Sequence, residues 1–341
     1  MTVKHSFVSA KADGADATLV NPSSWNAEHA LDIAHCPAGR VTLESGVAVS
    51  TTDQTAKTSV LYTPYVGQFV PIYSGAVWTP TVFTELTLAL DSDSGHTGYH
   101  QSGKNFDLFV VNDAGTVRLG TGPAWTSDTA RGTGAGTTEL ERKNGIWTNK
   151  VSMTLRFGSV SGNMITVVAN QGTYVATVRA SANGQTQIKF GSLAANGGEA
   201  WLGIWNAYNR VLVAGSVRDN SNTWTYATAS YRNLNNSVSN RISFVRGLNE
   251  DAMFAQYAGN TTSSGAVFGG FKVAVDGTSD NGSFETNATS GAYTNIGGNT
   301  YAGHPGLGFH YLTAMEYASG ATVTFGGDSG GSTNQSGLQY V

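Results

Sequence analysis

The chain has 341 residues and a formal net charge of −4, with 40% hydrophobic but only 12% charged residues. That charged share is about half of what a soluble domain usually carries. The 19 lysines and arginines are scattered without a run, which argues against a nucleic-acid or anionic-membrane partner, since either needs a basic face.

Cys36 is the only cysteine, so neither an intrachain disulfide framework nor a cysteine-based metal cage is expected. No apolar run of membrane-spanning length occurs, and Met1-Thr2-Val3-Lys4-His5-Ser6 lacks a signal-peptide core. A soluble protein made in the cytoplasm, without membrane insertion, is the expectation. The length allows two or three domains. With 43 glycines and 7 prolines, the turns are expected to be glycine turns between short strands.

The first segment, His5 to Leu31, reads HSFVSAKADGADATLVNPSSWNAEHAL. Its small polar middle is broken by Asp13, Gly14 and Asp16. Pro22 fixes its own φ and pushes Asn21 toward an extended shape, so the chain turns there. Ser24 is expected to cap a short helical turn from Trp25 to Leu31. Three candidate core side chains, Val20, Trp25 and Leu31, cannot fold this piece alone, so it reads as a connector that docks onto something. An ordinary arm lying on its own domain is the alternative.

Beyond Gly39 the pattern is extended. Val41–Val49, Ser59–Thr63 and Phe69–Tyr73 are rich in β-branched and aromatic residues, and Pro71 demotes its run to an edge or a bulge. In Phe83–Leu90, Thr84, Leu86, Leu88 and Leu90 share the face expected to be buried, and Phe83 falls on the other. Phe106–Asn112 and Thr116–Gly120 flank a three-residue hairpin loop, Asp113-Ala114-Gly115. Asn144-Gly145 is a second, stronger hairpin signal.

The same grammar continues through Val151–Phe157, Met164–Ala169, Thr173–Ala180, Trp201–Tyr208, Val211–Val217, Thr223–Tyr231 and Arg241–Val245, then Val267–Val275, Phe309–Tyr317 and Thr322–Phe325. Tyr174, Ala176 and Val178 are expected on one side. Leu248–Ala258 is ambiguous and reads better as strand than helix. The expected fold class is all-β: short antiparallel strands in one or two β-sandwich, jelly-roll-like domains behind an extended N-terminal arm. The expected division is 1–35 (arm), 36–162 (β-rich domain) and 163–341 (C-terminal sandwich).

Two strings invite a catalytic reading. Gly327-Asp328-Ser329-Gly330-Gly331 and Ile33-Ala34-His35-Cys36 resemble the serine and histidine motifs of chymotrypsin-like proteases. Ser329 stands too near the end of the chain for a barrel half to follow it, and Cys36 has no disulfide partner, so an ordinary glycine turn is the better reading. Asp91-Ser92-Asp93-Ser94-Gly95-His96 with His100 suggests a calcium loop, but Ser102 stands where the bidentate glutamate belongs. A solvated turn is expected there, with no metal and no cofactor.

Glu85, Glu139, Glu141, Glu250, Asp251, Glu285 and Glu316 show no spacing that singles out a glycosidase pair. Gly132-Thr133-Gly134-Ala135-Gly136 lacks the strand and helix that a phosphate loop needs. Most aromatics are expected in the core. Trp205 and Tyr208, next to the turn at Asn209-Arg210, are the pair expected to be exposed for glycan contact. The chain is not expected to be an enzyme.

Residues 5–31 resemble the N-terminal segment of tail-fibre and other virion structural proteins of tailed bacteriophages, in which an "HSFVSAKADG(A)D…V.PS.WN..H" string precedes a β-rich body. The 67–151 stretch, with FTELTLALDSDSGHTGYHQSGKNFDLFVVND and GTVRLGTGPAWTSDTARGTGAGTTELERKNGIWTNK, also resembles a recurring module of phage and prophage structural proteins. The resemblance implies a virion protein made in the host bacterial cytoplasm, with Val20, Pro22, Trp25, His29 and Leu31 docking it to other virion proteins of tail, baseplate or capsid. It also implies a homotrimer, host attachment and host surface polysaccharide as a partner.

No β-helix repeat, collagen-like run or coiled-coil shaft is evident, which favours a short fibre or spike over a long tail fibre. A capsid decoration protein (cementing or head-fibre) and a polysaccharide-degrading tailspike are the alternatives.

Overall fold

The computed structural model describes residues 2–3, 6–16, 18, 20–27, 29–30, 35–263, 267–277, 288–289, 295–327 and 334–340. Strands dominate. The helix Pro22–Asn26 and the 3-10 turn Leu234–Asn236 are the helical pieces among the described residues. The all-β expectation is met, in two sheet-on-sheet packings.

An eight-stranded antiparallel sheet is the centre of the first packing. Its order is Leu140–Lys143, Ile146–Asn149, Thr173–Arg179, Asn105–Asp113, Thr116–Ala124, Met153–Arg156 and Met164–Val167, with Ile204–Asn206 also paired to Thr173–Arg179. One face is covered by a three-stranded sheet, Gly39–Thr42, Ser59–Pro64 and Leu86–Ala89, and by the two-stranded Phe69–Tyr73 and Trp78–Val82. Val60, Tyr62, Val70 and Leu88 pack there against Phe106, Leu108, Val110 and Val178. Phe109 and Val111 point the other way and join Met153, Leu155, Tyr174, Trp205 and Val245. The Asn105–Asp113 strand is thus buried on both faces, which is why it reads as a nearly continuous apolar run rather than an alternating one.

The second packing sets two larger sheets face to face. One runs Ala288–Thr289, Phe268–Val275, Gly308–Ala318, Arg241–Arg246, Ala200–Leu202, Thr186–Lys189 and Gln54–Lys57. The other runs Leu193–Ala194, Leu212–Asp219, Asn334–Tyr340, Met253–Thr262, Val323–Gly326 and Thr223–Tyr226, with Asn295–Gly303 along Met253–Thr262. Leu202, Ile242, Phe244, Tyr257, Phe271, Leu312 and Phe325 fill the space between them.

The expected cut between 162 and 163 falls within a paired hairpin. Gly162 lies in the turn of a hairpin whose strands pair from Arg156↔Met164 to Met153↔Val167. The chain passes between the packings more than once: Thr186–Lys189 already lies in the second, and at Gly203 the chain steps from Leu202 there back to Ile204 in the first. A Cβ at Gly203 would lie 2.6 Å from the Gln187 carbonyl and 2.9 Å from Thr186 Oγ1, so glycine permits this close crossing. In return, Gln54–Lys57 from the first half forms an edge of the second packing.

Smaller corrections have local causes. The helix starts at Pro22, with Asn21 at its N-cap and no side-chain cap bond, instead of at Trp25; proline with its preset φ suits the first helical position. The 113–116 hairpin closes on two residues, Ala114 (φ 48°) and Gly115 (φ 97°), because Asp113 pairs directly with Thr116. A register shift between Tyr174 and Ala176 puts Tyr174 in one core while Ala176 and Val178 stay in the other, as an extra residue at a bulge does. Phe83 is buried and stacks on Tyr62 at 4.8 Å because its strand starts only at Leu86. From the ambiguous 248–258 piece a strand emerges, Met253–Thr262.

Candidate functional site

The N-terminal arm closes on itself. Thr2–Val3 pairs antiparallel with His29–Ala30, so the backbone leaves and returns at one point. Asn26 and Ser9 exchange two bonds: Asn26 Nδ2 donates to the Ser9 carbonyl, and Ser9 N–H donates to Asn26 Oδ1, each at 2.9 Å. Trp25 Nε1 donates to the Phe7 carbonyl at 3.2 Å. Asp13 accepts from the N–H of Ser23 at 2.8 Å and from its hydroxyl. Asp16 accepts from Thr18 N–H at 2.9 Å and Oγ1 at 2.6 Å, a local turn of the kind short acidic side chains favour. These bonds, the side-chain hydroxyl first and the backbone N–H second, hold both carboxyls below the usual carboxylate range.

What this scaffold exposes is apolar. Phe7 is 70% exposed, Val8 67%, Val20 78% and Trp25 40%. Of the residues expected to dock, Val20 and Trp25 therefore lie on the surface, and Pro22 is half-buried at the start of the helix. His29 contributes backbone to the closing pair, and Leu31 lies outside the described residues. Phe7 and Val8 were not singled out from sequence, although two adjacent apolar residues in a polar string are a readable signal. Single exposed apolar residues need no explanation; these four lie between positions 7 and 25.

The Asp91–His100 segment is a loop, as expected, but its key side chains are not solvated. Asp91 and His100 are each 1% exposed. His100 Nδ1 accepts from the Asp91 N–H at 2.8 Å, which leaves Nε2–H to donate to Thr121 Oγ1 at 2.8 Å. The ring is thus neutral, and burial, then the Arg156 charge, push its pKa down to about 4. Asp91 in turn is paired with Arg156 Nη1 and His96 Nδ1, both at 2.9 Å, and accepts from Asp93 N–H at 3.0 Å. Its oxygens are committed to the protein. No group of three His, Cys, Asp or Glu side chains fit to hold a metal occurs among the described residues.

A second buried pair ties the two packings together. Asp107 and Arg131 are bonded at 2.6 and 3.1 Å. Asp107 also accepts from Thr177 Oγ1 at 2.6 Å, and Arg131 reaches the Gly247 carbonyl and lies 4.3 Å from the Trp125 ring.

Five of the candidate carboxylates are also taken. Glu85 accepts from Ser45, Gly46 and Thr63, and Glu139 pairs with Lys150. Glu250 and Asp251 pair with Arg210. Glu316, whose pKa burial pushes up, accepts from Trp224 and Arg232. His35 sits edge-on to Phe69, 6.2 Å between ring centroids, and Cys36 is exposed; Ser329 and Glu285 lie outside the described residues.

The exposed aromatic pair is corrected. Trp205 is 0% exposed, packed among Phe109, Tyr174 and Val245, with Nε1 donating to Asp251 at 3.3 Å. Tyr208 is half-buried, its hydroxyl accepts from the Trp147 N–H at 2.8 Å, and burial pushes that hydroxyl up to about 12. Val245, Leu248 and Asp251 lie against Trp205 and cover it.

Neither a family model nor a curated protein matches the chain. Among solved structures, the insecticidal delta-endotoxin Cry8Ea1 from Bacillus thuringiensis aligns at 10% identity and a TM-score of 0.22, over 89% of this chain and 51% of its own. The mosquito-larvicidal Cry4Aa toxin from Bacillus thuringiensis aligns at 7% identity and a TM-score of 0.15, over 86% of this chain and 50% of its own. The chain therefore spans about half the length of these toxins. Likeness at this level carries no argument about fold or function.

Proposed function

We propose that the chain is a structural component of a tailed-bacteriophage particle: a short fibre or spike-type protein that docks to the virion by its N-terminal arm and displays its β-rich body for host attachment. The observation that carries this reading is the arm itself. It is braced by its own side chains, yet it leaves Phe7, Val8, Val20 and Trp25 exposed. Covering such side chains is worth about 1.5–3 kcal/mol each, so a partner surface that received them would hold the protein firmly. The sequence likeness of residues 5–31 to virion proteins gives that partner its class.

The body suits display. Glu85, Glu139, Glu250, Asp251, Glu316 and His100 are engaged in structural bonds, and nothing in this reading requires catalysis. A homotrimer belongs to the same proposal, because 7 prolines and 19 basic residues over 341 positions protect strand edges only thinly. Sedimentation equilibrium at micromolar concentration should return three times the chain mass; a monomer would remove the trimer. Copy number on purified particles tests the role as a fibre: a handful of copies is expected, and hundreds would make the protein a capsid decoration.

A further inference from the structure

Three cavities among the described residues differ in what they could accept. The one between the two packings, under Arg40 and Ile188, has room for about 20 Å³, the space of a water molecule. A second, of about 220 Å³, is bordered by Glu85 and Arg118, both committed to partners. The third is a groove of about 290 Å³ between the Phe69–Tyr73/Trp78–Val82 hairpin and the turn at Ala114-Gly115. That size lies near the lower end of small-ligand sites, about 300–1,000 Å³.

The groove is lined by hydrogen-bonding side chains without a formal charge: Tyr73, Ser74, Thr79, Thr81, Asn112 and Gln171, over a buried Ile72. Several are fixed in place with one polar end still available. Asn112 Oδ1 accepts from the Gly115 N–H at 2.7 Å, which leaves its NH₂ as a donor. Gln171 Nε2 donates to the Ser74 carbonyl at 3.2 Å, which leaves its Oε1 as an acceptor. Thr79, exposed on the same wall, adds a hydroxyl that both donates and accepts. The Tyr73 ring is braced by Trp78, 5.3 Å between centroids, and by the Lys143 amine at 4.3 Å. Nearby Asp113 is paired with Arg118 at 2.7 Å. A site of fixed, neutral donors and acceptors beside an aromatic edge suits a ligand that carries many hydroxyls and no charge.

We propose that this groove binds an uncharged saccharide unit. The inference rests on the reading of the body as an attachment surface, and it moves glycan contact from Trp205 and Tyr208 to Thr79, Asn112 and Gln171.

The test is saturation-transfer NMR on the full-length protein with methyl glucoside, methyl mannoside, methyl galactoside and N-acetylglucosamine, with N-acetylneuraminic acid as the charged comparison. At least one uncharged sugar should receive saturation and the charged one should not. Thr79→Val and Asn112→Asp, which keep side-chain volume and the Gly115 bond respectively, should each weaken that binding about tenfold while the melting temperature stays put. Three results would overturn the proposal: no uncharged sugar binding, binding of the charged sugar alone, or binding unchanged in both variants. A protein that enters particles yet binds no sugar would overturn the groove and leave the docking arm standing. Sugar binding by a protein that reaches particles without its arm would do the reverse.

Discussion

Replacing Asp107 by alanine should be among the most damaging single changes in the molecule. Asp107 is 0% exposed and accepts from Arg131 Nε at 2.6 Å, Arg131 Nη2 at 3.1 Å and Thr177 Oγ1 at 2.6 Å. Without it, the Arg131 guanidinium, only 9% exposed, keeps the Gly247 carbonyl and the Trp125 ring but loses its counter-charge. Stranding one member of a buried pair costs about 3–5 kcal/mol, a large part of the about 5–15 kcal/mol that holds a typical domain together. Removing both members costs less, because no uncompensated charge remains. Urea unfolding followed by tryptophan fluorescence should therefore rank wild type above Asp107→Ala/Arg131→Met, and that double variant above Asp107→Ala alone. A single variant within about 1 kcal/mol of wild type, or a double variant worse than the single, would refute the view that this pair is desolvated and mutually dependent.

His100 supplies a pH dependence with a defined sign. Folded His100 refuses a proton until about pH 4, whereas an unfolded histidine takes one near pH 6.5. The unfolded chain binds more protons in that window, so stability falls as pH drops from about 6.5 to about 4, by up to about 3 kcal/mol. Glu316, pushed up by burial, acts in the opposite sense. The quantity to read is thus the difference between wild type and His100→Gln at pH 7 and pH 4.5, and parallel profiles would contradict the assignment.

Gly247→Ala should destabilise by about 1–3 kcal/mol through overpacking, since its Cβ would lie 2.5 Å from both Thr177 Oγ1 and Trp205 Cε3. A neutral change in urea midpoint would mean that this corner has slack.

The sequence made the fold class legible because its signals were local. Asn144-Gly145 lies in a tight hairpin with both φ angles positive, at 52° and 89°, and the runs around it became strands. Sheet membership was not legible, because it depends on partners far away in the chain. Nothing in the string around Gln54 says that it will pair with Thr186–Lys189 instead of its own neighbours. Trp205 misled for a similar reason: next to a turn it reads as exposed, and the segment that covers it arrives some 40 residues later. In the arm, the scarcity of apolar residues was legible. The brace between Asp13 and Ser23 has no periodicity and could not be read.

Docking is tested most directly by following the arm into the particle. Full-length protein, protein lacking residues 1–31, and a Phe7→Asp/Val20→Asp/Trp25→Asp variant should be supplied to particles assembled without the native copy, and the purified particles assayed for each. The docking reading predicts that the body of the truncated chain folds, that the full-length chain is incorporated, and that both altered chains are left in the supernatant. Incorporation of the truncated chain at the full-length level would contradict it.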